Sequence, residues 1–217
     1  MLNRVAAQSI TTNIITDQEL MQFCACLDPN QLPILRSLAL AATQALETYL
    51  GDFITQRSIR WVCSRGESEK TDTFFRSWLS ARSYISYGYN TIAGQWLQFP
   101  TSATSVELCQ IGVWGMDSIN LTPKQDYACD FSTDPARITF TYNLAVQDYF
   151  SNFDSLIIDY TGGIAPQGSE PEAIKLAIKI ITKKLFENRD TEQTTIIDNG
   201  VSFLVDNYKR IGFGGSR

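Results

Sequence analysis

Close pairs of carboxylates are the first residues in this chain that could do chemistry: Glu67 with Glu69, Asp126 with Asp130, and Asp190 with Glu192. Two carboxylates facing across a cleft can divide general-acid and general-base work. Each of these pairs sits in a polar stretch, which reads as solvated surface. The chain contains no histidine, which removes Ser-His-Asp and Cys-His nucleophile systems and most zinc hydrolase sites. Carboxylate and lysine chemistry stay open. Cysteines stand at Cys24, Cys26, Cys63, Cys109 and Cys129. Cys24 and Cys26 form C-x-C, and no second close pair completes a four-ligand zinc set. An odd number at irregular spacing reads as reduced, mostly buried thiols in a cytosolic product.

Other motifs fall short. No G-x-x-x-x-G-K-[ST] phosphate loop occurs. Gly162-Gly163 lacks the third glycine and the strand-to-helix timing of a dinucleotide site, and reads as a plain turn. Ser102 and Ser105 stand outside the G-x-S-x-G frame of a nucleophile elbow. No cofactor and no metal are expected, and the chain reads as non-enzymatic.

Charge narrows the partners. The 217 residues carry 18 Lys and Arg against 23 Asp and Glu, a net charge of −5. No long basic run exists, and generic phosphate binding needs clustered cations. No run of 18 apolar residues occurs, so no membrane span is expected. Met1–Ile15 lacks the continuous apolar stretch and small-residue cleavage site of a signal peptide.

The elements that must position these residues follow from periodicity. Thr16-Asp17-Gln18-Glu19 is a capping box opening a short helix through Leu20, Phe23, Cys24 and Leu27, stopped by Asp28-Pro29-Asn30. A second helix is expected from Gln31 to Leu50, with Pro33 in its first turn and Gly51 as its terminal cap. Ile34, Leu35, Leu38, Ala42, Ala45, Leu46 and Tyr49 form its apolar stripe. Aromatic and β-branched residues then predict strands at 58–64, 84–87, 96–99, 106–109, 111–114, 137–142 and 155–160. Helical spacing returns after Thr161–Pro166. Ser169-Glu170-Pro171-Glu172 reads as a second capping box with Pro in the first turn. Ile174, Ala177, Ile178, Ile181, Leu185 and Phe186 make one face of the helix that follows, to about Asn188. Lys175, Lys179, Lys183 and Lys184 lie off it, either as a solvated face or facing an acidic surface of a neighbouring subunit. A last helix starts near Asp198 and carries Val201, Leu204, Val205 and Tyr208.

The fold class is therefore α+β: a small helical bundle built from N- and C-terminal helices, with an inserted antiparallel β-rich region. The expected boundaries are 13–57 and 164–211 for a discontinuous helical core, 58–163 for the β-rich insertion, and 212–217 for a flexible arm. Three glycines in Gly212–Arg217 make that tail flexible by composition. It reads either as a frayed terminus or as a docking arm that orders on binding, with Phe213 as the apolar anchor and Arg210 and Arg217 as charged contacts.

Several of these stretches, in order, resemble the head–tail connector (adaptor) family of tailed bacteriophages, in its longer members with a β-rich insertion. Ile15–Leu20 and Leu38–Gly51 are similar to the family's opening helices, whose second helix ends in an "AA…IE.YTG" pattern followed by a Gln. Here that pattern reads Ala41-Ala42, Leu46-Glu47, Tyr49-Leu50-Gly51 and Gln56. Trp96–Pro100 with Ser105–Leu108, and Asp126–Asp130 with Ala136–Phe140, resemble its strand pairs. Ile158-Asp159-Tyr160-Thr161-Gly162-Gly163, followed by Glu172–Ile178 and Leu185–Arg189, is similar to "V.Y.AGY…P..IK.AIL.LV..LYENR". Gly163 stands where the family has an aromatic, and Cys63–Gly94 has no clear counterpart.

The resemblance implies a structural protein of the virion neck, made in the host cytoplasm. It would form a homo-oligomeric ring, usually a dodecamer, beneath the portal. Such a ring extends the DNA channel, lets DNA pass without sequence-specific binding, and carries the stopper or tail proteins. The helices at 33–50 and 172–188 would form its body, and an acidic lumen would repel DNA phosphates. The arm Lys209–Arg217, with Lys209, Arg210, Phe213 and Arg217, would dock onto the portal. Another neck or tail role, tail terminator or head completion, is the alternative. A small-ligand protein or enzyme ranks below both.

Overall fold

The computed structural model describes residues 2–8, 13–64, 96–113, 117–133, 135–141, 153–188 and 196–210. The chain is α+β. It divides into two compact units, Met1–Gln8 with Arg57–Gly162, and Ser9–Gln56 with Gly163–Arg217. Among the described residues the order is β1 (Leu2–Ala7), α1 (Asp17–Phe23), α2 (Leu32–Leu50), β2 (Arg57–Ser64), β3 (Trp96–Gln98) and β4 (Ala103–Val113). It continues with β5 (Ile119–Asn120), β6 (Tyr127–Asp130), β7 (Arg137–Phe140), β8 (Phe153–Gly162), α3 (Glu172–Glu187) and α4 (Asn199–Val205). The strand expected at 84–87, the ends of those reaching Trp114 and Tyr142, and the pairs Glu67/Glu69 and Asp190/Glu192 lie outside the described residues.

In the helical unit, α1 opens on the expected capping box. The Glu19 amide donates to Thr16 Oγ1, and the Thr16 amide donates to Glu19 Oε2 at 3.1 Å. The helix stops at Phe23, short of the predicted Leu27. Ala25 takes the left-handed conformation at φ 50°, and the amides of Ala25 and Cys26 return to the carbonyls of Gln22 and Met21. This Schellman closure satisfies the last carbonyls one turn early and leaves Leu27 94% exposed. Helix α2 ends on Gly51 at φ +70°, as its sequence predicts. Its buried seam is Leu35, Ala39, Ala42, Thr43, Leu46 and Leu50. The seam is rotated from the expected stripe, and Ile34 is left on the exposed side.

Helix α3 buries Ile174, Ala177, Ile178 and Ile181 against that seam, and α4 adds Val201 and Val205. Each buried isoleucine or valine among them contributes roughly 1.5–3 kcal/mol, and such packing of an apolar face supplies most of a helix's stability in a folded chain. The second capping box does not form. Pro171 caps α3 without a side-chain bond. Glu170 instead turns inward, 4% exposed, and accepts from Thr55 Oγ1 at 3.1 Å.

The other unit is antiparallel throughout its ladders. A five-stranded sheet runs β1-β2-β8-β4-β5 and a three-stranded sheet β3-β7-β6. Alternation along β8 buries Leu156, Ile158 and Tyr160, the period-2 pattern of a sheet with one covered face. Phe99, following β3, joins the sheets: its ring lies 5.0 Å from Tyr160 and 5.9 Å from Trp61, centroid to centroid. Thr101 and Tyr160 share a buried hydroxyl hydrogen bond of 2.6 Å. The strands expected at 106–109 and 111–114 are one strand, β4, bent by bulges at Ala103/Ser105 and Val106/Leu108. Strands β1, β5 and β6 were not expected from periodicity.

Candidate docking site

The C-terminal end of α2 gathers the side chains that the C-terminal segment touches. Glu47, one turn before the end, accepts from the Ile54 amide at 3.0 Å and so folds the chain back after Gly51. Asp52 is buried, and its Oδ1 accepts from the Phe53 amide at 2.8 Å. Tyr49 donates its hydroxyl to Asp206 Oδ1 at 2.7 Å. The 3₁₀ turn Asp206–Tyr208 after α4 brings Lys209 and Arg210 onto this corner. The Lys209 ammonium sits 4.1 Å from the centre of the Tyr49 ring, a cation–π contact. The Arg210 amide donates to the Leu50 carbonyl at 2.9 Å. The Arg210 guanidinium, 11% exposed, lies 3.9 Å from Asp52 Oδ2.

Of the four expected arm residues, Lys209 and Arg210 are thus engaged inside the helical unit. Phe213 and Arg217 lie outside the described residues. Periodicity missed Tyr49 and Asp52 as their partners. The signal was present in the Tyr49-Leu50-Gly51 helix ending, which places a half-buried ring and a helix-terminal carbonyl beside the turn.

The lysines of α3 are neither a plain solvated face nor unused charge. Lys179 Nζ reaches Glu19 Oε1 on α1 at 2.7 Å, and Lys184 pairs with Asp198, the cap of α4. Lys175 bonds Glu172 at 3.1 Å, and Lys183 lies 3.7 Å from Glu187 and over the Phe23 ring. Three of these lysines, Lys179, Lys183 and Lys184, therefore tie α3 to its neighbours. Hydrogen bonds from Lys179 and Thr16 hold the Glu19 carboxyl at about 2, far below its ordinary range. Lys184 and the Val201 amide lower Asp198, and Arg36, bonded at 2.9 Å, lowers Asp17.

Of the paired acids, Asp126 and Asp130 lie among the described residues, and both have local structural partners. Asp126 is buried, against the surface expectation, and accepts from the Thr122 amide at 2.8 Å to brace the turn before β6. Asp130 is exposed and bonded to Ser132. Burial pushes the Cys24 and Cys109 thiols up and holds Cys129 at about 11, the opposite of an activated thiolate. Among the described residues no cluster of three or more Cys, Asp or Glu is placed to hold a metal, and no helix is long and apolar enough to cross a membrane.

Gly162-Gly163 is not a plain turn. A Cβ on Gly162, the last residue of β8, would meet the Ser102 carbonyl at 2.1 Å. Gly163 has φ +143°, and its Cβ would meet the Thr55 carbonyl at 2.7 Å. Both positions require glycine for close backbone approach.

No family model matches the sequence, and no curated protein matches it. Solved structures do. A chain from the neck of an empty gene transfer agent (GTA) particle, computed with C6 symmetry, aligns over 100% of both chains with a TM-score of 0.66 at 13% identity. A chain from the virion of a native gene transfer agent particle aligns over 99% of both, with TM-score 0.67 and 13% identity. One from the neck of a native GTA particle, computed with C12 symmetry, aligns over 98% of this chain and 99% of that one, with TM-score 0.59 and 15% identity. The chain shares its fold, from end to end, with chains of gene transfer agent necks and virions.

Proposed function

We propose that the chain is a structural protein of a phage-like virion neck, the head–tail connector that forms a ring beneath the portal. The observation that carries this reading is the end-to-end fold likeness to chains from necks computed with C6 and C12 symmetry. Both units align, so the likeness is not that of one common motif. The ordered resemblance of the sequence to connectors supports the same reading, and its key residues have structural work here. Gly51 ends α2, Glu47 folds the chain back, and Gly162-Gly163 permits close backbone approach.

In this reading the ring closes through one heterologous interface repeated around the axis. The segment after Lys209 and Arg210 reaches the portal, the opposite face carries stopper or tail proteins, and the channel passes DNA without reading it. The acidic net charge suits a channel wall that repels phosphates. The protein is made in the host cytoplasm and has no catalytic role.

Mixing the purified chain with portal rings and imaging by electron microscopy tests this. The reading expects an added ring at one end of the portal. Bare, well-formed portals would contradict it and move the assignment to tail terminator or head completion.

A further inference from the structure

We propose that β1 is an exchangeable strand, paired with β2 of its own chain when the chain is alone and with β2 of a second copy when copies stand side by side. The exchange belongs to the chain itself; its use as a link between neighbours in a ring rests on the connector reading.

The path of the chain is the first observation. β1 and β2 pair from Leu2↔Ser64 to Ala7↔Ile59. Yet the whole run Ser9–Gln56 lies between them in sequence and belongs to the other compact unit. A hairpin turn of a few residues holds a strand to its own partner. No such turn joins β1 to β2, so a second copy can supply the same ladder.

The second observation is how little else holds β1. It stands at the edge of the five-stranded sheet. The Gln8 amide donates to the Ser58 carbonyl at 3.1 Å. In that register Arg4↔Val62 and Ala6↔Arg60 are the hydrogen-bonded pairs, and the backbone groups of Asn3, Val5 and Ala7 point away from β2. One cross-strand row on the covered face runs Ile158, Trp61, Val5, and exposure along it rises from 0% to 4% to 40%. Ala6, on the opposite face, is exposed. β1 thus depends on backbone bonds more than on buried side chains, and it opens more readily than β2 or β8.

The fit decides the occupant of a vacated β2 edge. Leu2–Ala7 pairs with that edge in an unbroken register, and another copy presents the same six residues. Exchange of an identical element needs no new surface. When each copy gives β1 to one neighbour and receives it from the other, the contact is head-to-tail and repeats around an axis. Toward the far edge of the sheet the ladder is less regular: β5 has two residues, and β4 carries three register shifts, which hinder edge pairing.

A disulfide across the pair reads which copy β1 belongs to. Asn3 stands opposite Cys63 in a non-hydrogen-bonded pair, whose Cα separation of about 4.5 Å a disulfide can bridge. Asn3→Cys is therefore the one substitution needed, followed by mild oxidation and a non-reducing denaturing gel. At about 1 µM the bond should close within one chain. Near about 1 mM, comparable to the effective concentration of a tethered strand, covalent multimers should rise at least about tenfold. Peptide mapping should find the new thiol joined to Cys63, and adding Cys63→Ser should abolish the multimers. Monomers alone at every concentration, or no bond to Cys63 at all, would overturn the exchange. Multimers joined through two of the new thiols would overturn it too, because β1 edges would then be pairing with each other.

Portal rings test the link between neighbours. Oxidised on the portal, the Asn3→Cys chain should give a ladder of covalent multimers. Portals that bind the chain but release only monomers would overturn the link. If no portal binds while the concentrated chain still forms multimers through Cys63, the connector reading fails and the exchange stands.

Discussion

The Lys179 ammonium on α3 and the Glu19 carboxylate on α1 meet at 2.7 Å, and the same carboxylate closes the Thr16 capping box. One side chain thus starts a helix and fastens it to another. Glu19 titrates at about 2 instead of its ordinary 4.5. A carboxyl depressed by folding stabilises the folded state above its unfolded value, and that contribution is lost as pH falls through its folded value. Urea midpoints should therefore decline from about pH 4.5 toward pH 2, with Asp17 and Asp198 shifted in the same direction. Glu19→Gln should flatten part of that decline. An unchanged profile would show that the pair contributes nothing.

Thr16→Ala removes the cap while keeping Glu19. The expected loss is about 1 kcal/mol, measured by chemical denaturation. Glu19→Gln retains an acceptor for the Thr16 amide and should cost less than Thr16→Ala at pH 4. The reverse order would mean that the salt bridge outweighs the cap.

Gly162→Ala places a Cβ against the Ser102 carbonyl, at 2.1 Å. The strands cannot both keep their places, and the loss should be about 1–3 kcal/mol. Gly168, at φ +84° with open space around it, is the control. There Ala meets only backbone strain, about 1 kcal/mol. Equal losses at the two positions would contradict the close approach.

Tyr160→Phe deletes the hydroxyl shared with Thr101 at 2.6 Å in the sheet core. Leaving a buried partner short of a bond should cost about 1–3 kcal/mol. A melt unchanged from the parent would show that Thr101 finds a substitute.

Cys24 and Cys109 are buried, and their thiols are pushed up. Both should resist a thiol reagent at pH 8 until the chain is unfolded. Rapid labelling of either in the native chain would contradict their burial.

Local signals carried much of this fold. Thr16 and Glu19 announced α1, Gly51 the end of α2, and Asp198 the start of α4, because caps act within one turn of the chain. Ile174, Ala177, Ile178 and Ile181 gave the buried face of α3. What failed depended on partners distant in sequence. Ser169-Glu170-Pro171-Glu172 has the letters of a capping box, but Thr55 takes Glu170 inward. The α2 stripe was rotated because α3 and α4 decide which side is covered, and Ile34 and Leu35 look alike in sequence. Strand β1 was invisible because a short strand acquires its identity only by pairing with β2. At the candidate site, Lys209 and Arg210 were visible as cations beside a Gly-rich tail. Their engagement by Tyr49 and Asp52 spans more than 150 residues, and no periodicity reports it.

The most direct test of the connector assignment is the mass of the complex formed with the portal, read by native mass spectrometry. The account predicts one discrete species carrying a full ring of this chain per portal ring, twelve copies if it follows the C12 neck. Portal rings with no added mass, or with single copies added at random, would contradict it.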